Sequence, residues 1–206
     1  MRFAPALLVV LACTGCSMLQ PTTHVVASHA QDWRAVATPA DRGRLRDWRT
    51  AFTSALAAAR AAGHSAQIAR EGPLLQPDAA LGGPIPNGTY RCRVTKLGAK
   101  SPGMLDYVTY PYFRCQVRPE RGVQAFAKLS GSQRQVGLIY PGDQLRQAFL
   151  GTLMLGDEAR AMQYGMDPER DVAGYVERIG ANRWRLIMPY PHFESKIDVM
   201  ELVPVS

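Results

Sequence analysis

Residues 90–94, YRCRV, and residues 113–117, FRCQV, are the two segments that decide the fold of this chain. In both segments apolar and polar residues alternate, which is the period of a β-strand with one solvated face. Residues 101–103, SPG, are typical of a turn, so we predict a β-hairpin. A turn at this point gives three directly opposed pairs on one face of the hairpin: Tyr90–Val117, Cys92–Cys115 and Val94–Phe113.

The rest of the chain repeats the strand pattern. Short apolar-rich segments end at Gly, Pro, Asn or Asp, at residues 124–129, 134–140, 148–155, 160–164, 172–179, 184–188 and 197–203. Sequential hairpins without helical interruption favour a mainly β domain over residues 88–206, an antiparallel up-and-down β-barrel or curled sheet, lipocalin-like, of about eight strands. A barrel of this size either holds one small ligand or fills its interior with side chains.

A helical segment and a connecting loop, residues 31–87, precede these strands. Thr38 is a good N-cap and Pro39 suits the first helical position. Apolar residues then recur at helical spacing as far as the natural C-cap Gly63, namely Leu45, Trp48, Phe52, Leu56 and Ala59. We therefore predict one long N-terminal helix that packs on the β domain, and a shorter helix over residues 65–70.

Residues 1–16 resemble a lipoprotein-type signal peptide. A short apolar stretch follows Arg2, and the small residues Thr14 and Gly15 precede Cys16. We favour lipidation at Cys16, because it discards Cys13 and leaves Cys92 and Cys115 as an even pair beside the lipidated residue. Cys13 is the alternative, since the residues before it fit the lipidation motif well. Residues 17–30 are polar and are expected to tether the body to a membrane.

Export would place Cys92 and Cys115 in an oxidising compartment. Their matching positions on the two hairpin arms then predict a disulfide bond between them. Two buried free thiols are the alternative.

Composition and motifs exclude several classes of function. A hydrophobic content of 47% indicates a folded core. The net charge is +7, but Lys and Arg are scattered singly, so we expect no nucleic-acid partner. The sequence has no Gly-rich phosphate loop, paired-cysteine zinc motif or Gly-x-Ser-x-Gly elbow. We expect no catalytic residue, no metal site and no cofactor.

Two clusters leave alternatives open. An aromatic cluster around Pro111 either lines a pocket mouth or packs a loop, and consists of Tyr107, Tyr110, Tyr112 and Phe113. Asp157 and Glu158 are adjacent carboxylates that suit either acid–base chemistry or a turn, and we favour the turn.

Several motifs together resemble an uncharacterised bacterial family known as domain of unknown function 4893. They are the helix from Asp41 to Trp48, PDAAL at residues 77–81, YRCRV at 90–94, KLSGSQR at 128–134, LGDE at 155–158 and RWRL at 183–186. The resemblance covers most of the mature chain. It implies an exported protein of the bacterial envelope, and it implies no activity.

A second, weaker resemblance is to the lipoprotein inhibitors of c-type lysozyme. YRC at residues 90–92, SGS at 130–132 and GDEA at 156–159 are similar to their motifs. The resemblance implies a binding loop that contains Lys128, Ser130, Ser132 and Arg134.

Two functions follow from these observations. The first is a non-enzymatic lipoprotein, anchored to a membrane of the cell envelope by its N-terminal lipid and facing the periplasm, whose β domain binds a small ligand or serves as a scaffold. The alternative is a protein-binding inhibitor that uses the loop from Ser130 to Arg134 against another envelope protein.

Overall fold

The computed structural model describes residues 31–205. Within the described residues, four α-helices and one 3₁₀ helix precede the strands. They are α1 (Trp33–Val36), α2 (Pro39–Arg46), α3 (Trp48–Ala61), α4 (Ser65–Glu71) and the 3₁₀ helix (Gly72–Leu75). None of the helices within residues 31–205 is long and apolar enough to cross a membrane.

Nine strands form one sheet that closes on itself. They are β1 (Gly88–Ala99), β2 (Tyr107–Thr109), β3 (Phe113–Glu120), β4 (Val123–Lys128), β5 (Gln133–Tyr140), β6 (Arg146–Leu155), β7 (Asp171–Gly180), β8 (Arg183–Pro189) and β9 (Ser195–Pro204). From β3 onward each strand pairs antiparallel with the next, and β9 pairs back to β1. The result is a closed eight-stranded antiparallel barrel, with β2 as a short extra strand on β1. This confirms the mainly β fold and selects the barrel over the open curled sheet.

The prediction of one long N-terminal helix is wrong. The chain breaks at Asp47, between α2 and α3, although Thr38 does cap α2 by accepting a hydrogen bond from the Asp41 N–H. The two helices pack on different parts of the barrel. Leu45 of α2 packs with β5, β6 and β7, whereas α3 packs on β1, β8 and β9. Leu45 and the buried residues of α3 are all apolar, so the spacing alone did not show that they bury in two places.

The barrel interior is apolar over most of its length. Alternate residues of each strand point inward, as the strand period requires. Interior side chains include Phe126, Phe149, Trp184, Leu186 and Met200. The opposite faces of β1, β8 and β9 pack against the helices through a separate apolar cluster, which includes Phe52, Leu97, Ile187 and Val199.

The predicted disulfide between Cys92 and Cys115 is present, with a Cα–Cα distance of 5.9 Å. The predicted register is wrong by two residues, because Tyr90 pairs with Cys115 and Cys92 pairs with Phe113. The intervening strand β2 pairs with residues 95–97 of β1 and occupies the position that a simple hairpin would give to β3. A shift of two keeps both cysteines on the interior face, so the disulfide joins diagonal neighbours.

The predicted strand at residues 160–164 is also absent. This segment lies in the loop between β6 and β7. Its Tyr164 hydroxyl donates to Asp41 and accepts a hydrogen bond from the Thr38 N–H, at the start of α2. Tyr164 therefore docks on α2, whereas Ala161 and Met162 are exposed.

We expect the disulfide to stabilise the barrel strongly. Replacing Cys92 and Cys115 together by Ala should lower the free energy of unfolding by roughly 2–5 kcal/mol, because the cross-link restricts the unfolded chain. Chemical denaturation measures the loss, and reduced wild-type protein is the matched control. In unreduced, denatured protein, peptides that contain these cysteines should resist thiol labelling. Labelling of both would contradict the bond.

Candidate functional site

The two ends of the barrel differ. At the end where β1 begins, the Tyr90 ring packs edge-on against Trp184, and the Tyr90 hydroxyl donates to the carbonyl of Pro86. The neighbouring Ile85 is almost fully buried. The loop before β1 therefore plugs this end of the barrel.

The opposite end contains a cavity of about 320 Å³. We call this cavity the barrel mouth. It lies where β1 and β4 end and where β5 and β9 begin. The lining combines apolar, amide and charged side chains from residues that are far apart in sequence: Val94, Lys96, Tyr110, Phe113, Lys128, Gly131, Ser132, Gln133, Gln135, Glu194 and Asp198.

Lys96 is the buried cation at the centre of a hydrogen-bonded cluster. Its Nζ lies 3.2 Å from Asp198 Oδ2, 3.0 Å from Glu194 Oε2 and 3.2 Å from Gln133 Oε1. Burial opposes the charge, but the two carboxylates outweigh burial and raise the pKa of Lys96 above its ordinary value. Burial in turn raises the pKa of Asp198, although Lys96 and the Ser195 hydroxyl act in the opposite direction.

Lys128 is equally buried but lacks such partners. Its Nζ donates to the carbonyl of Gln133 at 2.7 Å and lies 3.9 Å from the centre of the Phe113 ring. Within residues 31–205 it forms no ion pair. Burial, together with the nearby positive charges of Lys96 and Arg134, lowers the pKa of Lys128 to about 8. Of the two lysine ammonium groups in the mouth, that of Lys128 is therefore the less stable.

Gln135 contributes a buried polar group without a partner in residues 31–205. The side chain is 4% exposed, and its Oε1 has no hydrogen-bond partner among the described residues. Buried amide oxygens are normally paired, because leaving one unpaired costs roughly 1–3 kcal/mol. A ligand that carries an N–H or O–H group would satisfy it.

The loop between β4 and β5 shapes one wall of the mouth. Gly131 has a left-handed φ of +91°, and a Cβ there would lie 2.8 Å from Lys128 Nζ and 3.0 Å from the Phe113 ring. The left-handed φ favours glycine here, and a larger residue would also require Lys128 or Phe113 to shift. Arg134 fixes the loop by donating to the carbonyls of Gly156 and Glu158 in the turn after β6.

The structure separates the four predicted binding-loop residues. Lys128 points into the mouth, and Ser132 lines it from an exposed position. Ser130 instead accepts a hydrogen bond from the Arg114 N–H, and Arg134 anchors the loop. The lipidation candidates Cys16 and Cys13 lie outside the described residues.

The structure also places the aromatic cluster around Pro111 and the carboxylates at residues 157 and 158, for which the sequence left alternatives open. Tyr110 and Phe113 line the mouth, whereas Tyr107 stacks on His64 and Tyr112 donates to Glu201, both away from it. Glu158 accepts a hydrogen bond from the Leu155 N–H and pairs with Arg170, as expected of a turn residue.

Sequence reasoning missed Lys96, Gln133, Gln135 and Asp198. The signal for Lys96 was present, because it continues the inward series of Tyr90, Cys92 and Val94 at a spacing of two. Asp198 likewise stands between the apolar residues Ile197 and Val199 of β9. The convergence of these strands on one end of the barrel required the closed sheet.

The barrel mouth has no arrangement typical of a metal centre. Across residues 31–205, no group of three or more His, Cys, Asp or Glu side chains is placed to hold a metal ion. The polar groups of the mouth are suited to hydrogen bonds and to one ionic contact with a bound molecule.

Comparison with known proteins gives one match. The model of the family described as Domain of unknown function (DUF4893) matches residues 33–202, which include every residue that lines the mouth. No curated protein and no solved structure matches the chain.

We expect the buried charge of Lys128 to destabilise the unliganded protein. Its folded-state pKa of about 8 lies below the ordinary 10.5, so the unfolded state binds more protons between these values. The free energy of unfolding should therefore rise with pH across this window. Lys128→Met should be more stable than wild type at pH 7, by about 1–3 kcal/mol, and the advantage should shrink toward pH 10.5.

Urea denaturation from pH 7 to pH 10.5 measures this difference. Lys96→Met is the matched control, because it leaves Asp198 and Glu194 without their cation and should destabilise by about 3 kcal/mol. A Lys128→Met variant that is less stable than wild type at every pH would contradict the account.

Proposed function

Because the chain belongs to the family described as Domain of unknown function (DUF4893), whose description assigns no activity, we propose a function from the barrel mouth. The protein binds a small ligand in this cavity and carries out no reaction on it. The single observation that supports this proposal is that one open cavity is lined both by Lys128, a buried lysine without an ion pair among the described residues, and by Gln135, whose buried Oε1 has no hydrogen-bond partner there.

The dimensions of the mouth suit a small ligand. A volume of about 320 Å³ is at the lower end of ligand sites, which span roughly 300–1,000 Å³. Below the mouth the interior is filled by side chains such as Phe149, Trp184 and Leu186. A long apolar ligand that runs through the barrel axis is therefore a poor fit.

The residues in and near the mouth also support a function without catalysis. Catalysis by a nucleophile requires a base within hydrogen-bond reach of it. Ser132 is exposed at the cavity rim, and neither His64 nor His192 lines the mouth. The sequence adds no catalytic motif. The polar groups of the mouth are suited to orienting a ligand.

We further propose that the protein is exported and lipid-anchored at Cys16, with Cys13 as the alternative, and that it faces the periplasm. The disulfide between Cys92 and Cys115 supports export, because such bonds persist in oxidising compartments. Residues 17–30 would then reach at most about 45–50 Å from the membrane.

The inhibitor alternative gains no support. A loop that inserts into another protein must present its side chains outward. Here Lys128 points into the barrel and Arg134 is bound to two carbonyls, which leaves mainly Ser130 and its neighbours facing solvent.

We expect a bulky side chain at the rim to block binding. Ser132→Trp should reduce ligand uptake at least tenfold, because residue 132 lines the mouth. Ser130→Trp is the matched control, since it lies in the same loop but not in the cavity lining. Dialysis against a small-molecule cell extract, followed by mass spectrometry of the retained compounds, measures uptake. Equal retention by wild type and Ser132→Trp would refute the site.

We expect the mature protein to begin at Cys16 with acyl chains attached. Intact mass of the membrane fraction tests this. Cys16→Ser should release the protein from the membrane, whereas Cys13→Ser should leave it anchored. The opposite result would assign the lipid to Cys13, and an unmodified soluble product in wild type would refute lipidation.

A further inference from the structure

Two buried lysines lie in the barrel mouth, and only Lys96 has carboxylate partners. The exposed fractions are similar, 6% for Lys96 and 5% for Lys128. Lys96 pairs with Asp198 and Glu194, whereas Lys128 pairs with no acidic group in residues 31–205. A buried ammonium without an anion is costly, so Lys128 attracts any anion that enters the cavity.

The protein groups around Lys128 do not supply that anion. Arg134 and Lys96 are themselves positive. The nearby carboxylates each have another partner: Asp198 binds Lys96 and Ser195, Glu194 binds Lys96, and Glu158 binds Arg170. The adjoining small cavity adds Glu169, which pairs with His192, Asp171, which accepts from the Gly165 N–H, and Arg170, which binds Glu158.

We propose that the barrel mouth binds a small monocarboxylic acid whose carboxylate pairs with the Lys128 ammonium. Its carbon chain lies against Phe113 and Val94, and a hydroxyl or amino group on it donates to Gln135 Oε1. The inference rests on the proposed ligand-binding function and names the class of ligand.

The charge of the mouth favours one negative charge over two. Arg side chains are the usual partners of phosphate, because their fork matches its oxygens, and no Arg among residues 31–205 lines the mouth. Asp198 and Glu194 lie in the same cavity and would repel a dianion. A neutral ligand of the same shape would leave the Lys128 charge uncompensated.

The pH dependence of binding follows from Lys128. In the free protein, burial and the charges of Lys96 and Arg134 lower the pKa of Lys128 to about 8. A bound carboxylate stabilises the ammonium and raises this pKa. Affinity should therefore be highest below pH 8 and should fall about 30-fold between about pH 7 and pH 9.5, as the free protein loses the ammonium.

The experiment uses matched pairs of probes in NMR titrations of the full mature chain. Butyrate and 2-hydroxybutyrate are compared with their uncharged amides, and inorganic phosphate is a separate probe. We expect each carboxylate to bind at least tenfold more tightly than its amide, and 2-hydroxybutyrate to bind more tightly than butyrate. The four lysines of the chain allow the Lys128 resonance to be followed directly, and its pKa should rise on binding.

Variants assign the contact. Lys128→Met should lose at least tenfold in carboxylate affinity. Lys196→Met should stay within twofold, because Lys196 lies beside Gly98 and does not line the cavity. Unchanged binding by Lys128→Met, or an unchanged Lys128 pKa in wild type, would overturn the proposal.

The probes also separate this inference from the proposed function. Amides that bind as tightly as carboxylates, in a manner blocked by Ser132→Trp, would overturn the anion site and leave ligand binding intact. Phosphate that binds more tightly than either carboxylate would overturn the assigned ligand class. Carboxylate binding that survives Ser132→Trp would refute the mouth as the site and both proposals with it.

Discussion

Closure of the sheet through β1 and β9 is the constraint on which the rest of the structure depends. Their pairing runs from Tyr90 to Ala99 and leaves no open edge between the first and last barrel strands. Once the sheet is closed, one face of every strand is interior, and the solvent reaches that interior only at the ends. A charged residue on the interior face near an end therefore becomes a cavity residue, as Lys96 and Asp198 show.

The helices pack on the outside of the same strands, and arginines of the barrel hold them there through ion pairs and hydrogen bonds. Arg185 on β8 is fully buried, pairs with Glu177 on β7 and donates to the carbonyls of Pro73, Leu74 and Gln76. Arg93 on β1 binds Glu71 at the end of α4 and Glu201 on β9. These contacts are satisfied on all sides, which distinguishes them from the incompletely paired groups of the mouth. Incomplete pairing in one open cavity is the physical ground for regarding the mouth as the site.

The disulfide shows how a correct pairing arose from an incorrect register. The alternation of residues 90–94 and 113–117 fixed which face each cysteine occupies, because strand side chains have a period of two. It did not fix which residues lie opposite each other, because the short strand β2 intervenes and displaces β3 by two positions. The helical break at Asp47 was missed for a similar reason. The spacing showed that Leu45 and the apolar residues of α3 are buried, but it did not show that they pack on different strands.

The residue pattern was sufficient for the β class, the bounds of most strands, the interior face of the first hairpin and the family resemblance. These are local properties, carried by alternation, by turn residues and by short motifs. Tertiary structure alone decided the closure of the barrel, the plugged end at Tyr90 and the meeting of Lys96, Lys128, Gln135 and Asp198 in one cavity. These residues lie on four strands, and only the pairing of β9 with β1 brings the first and last of them together.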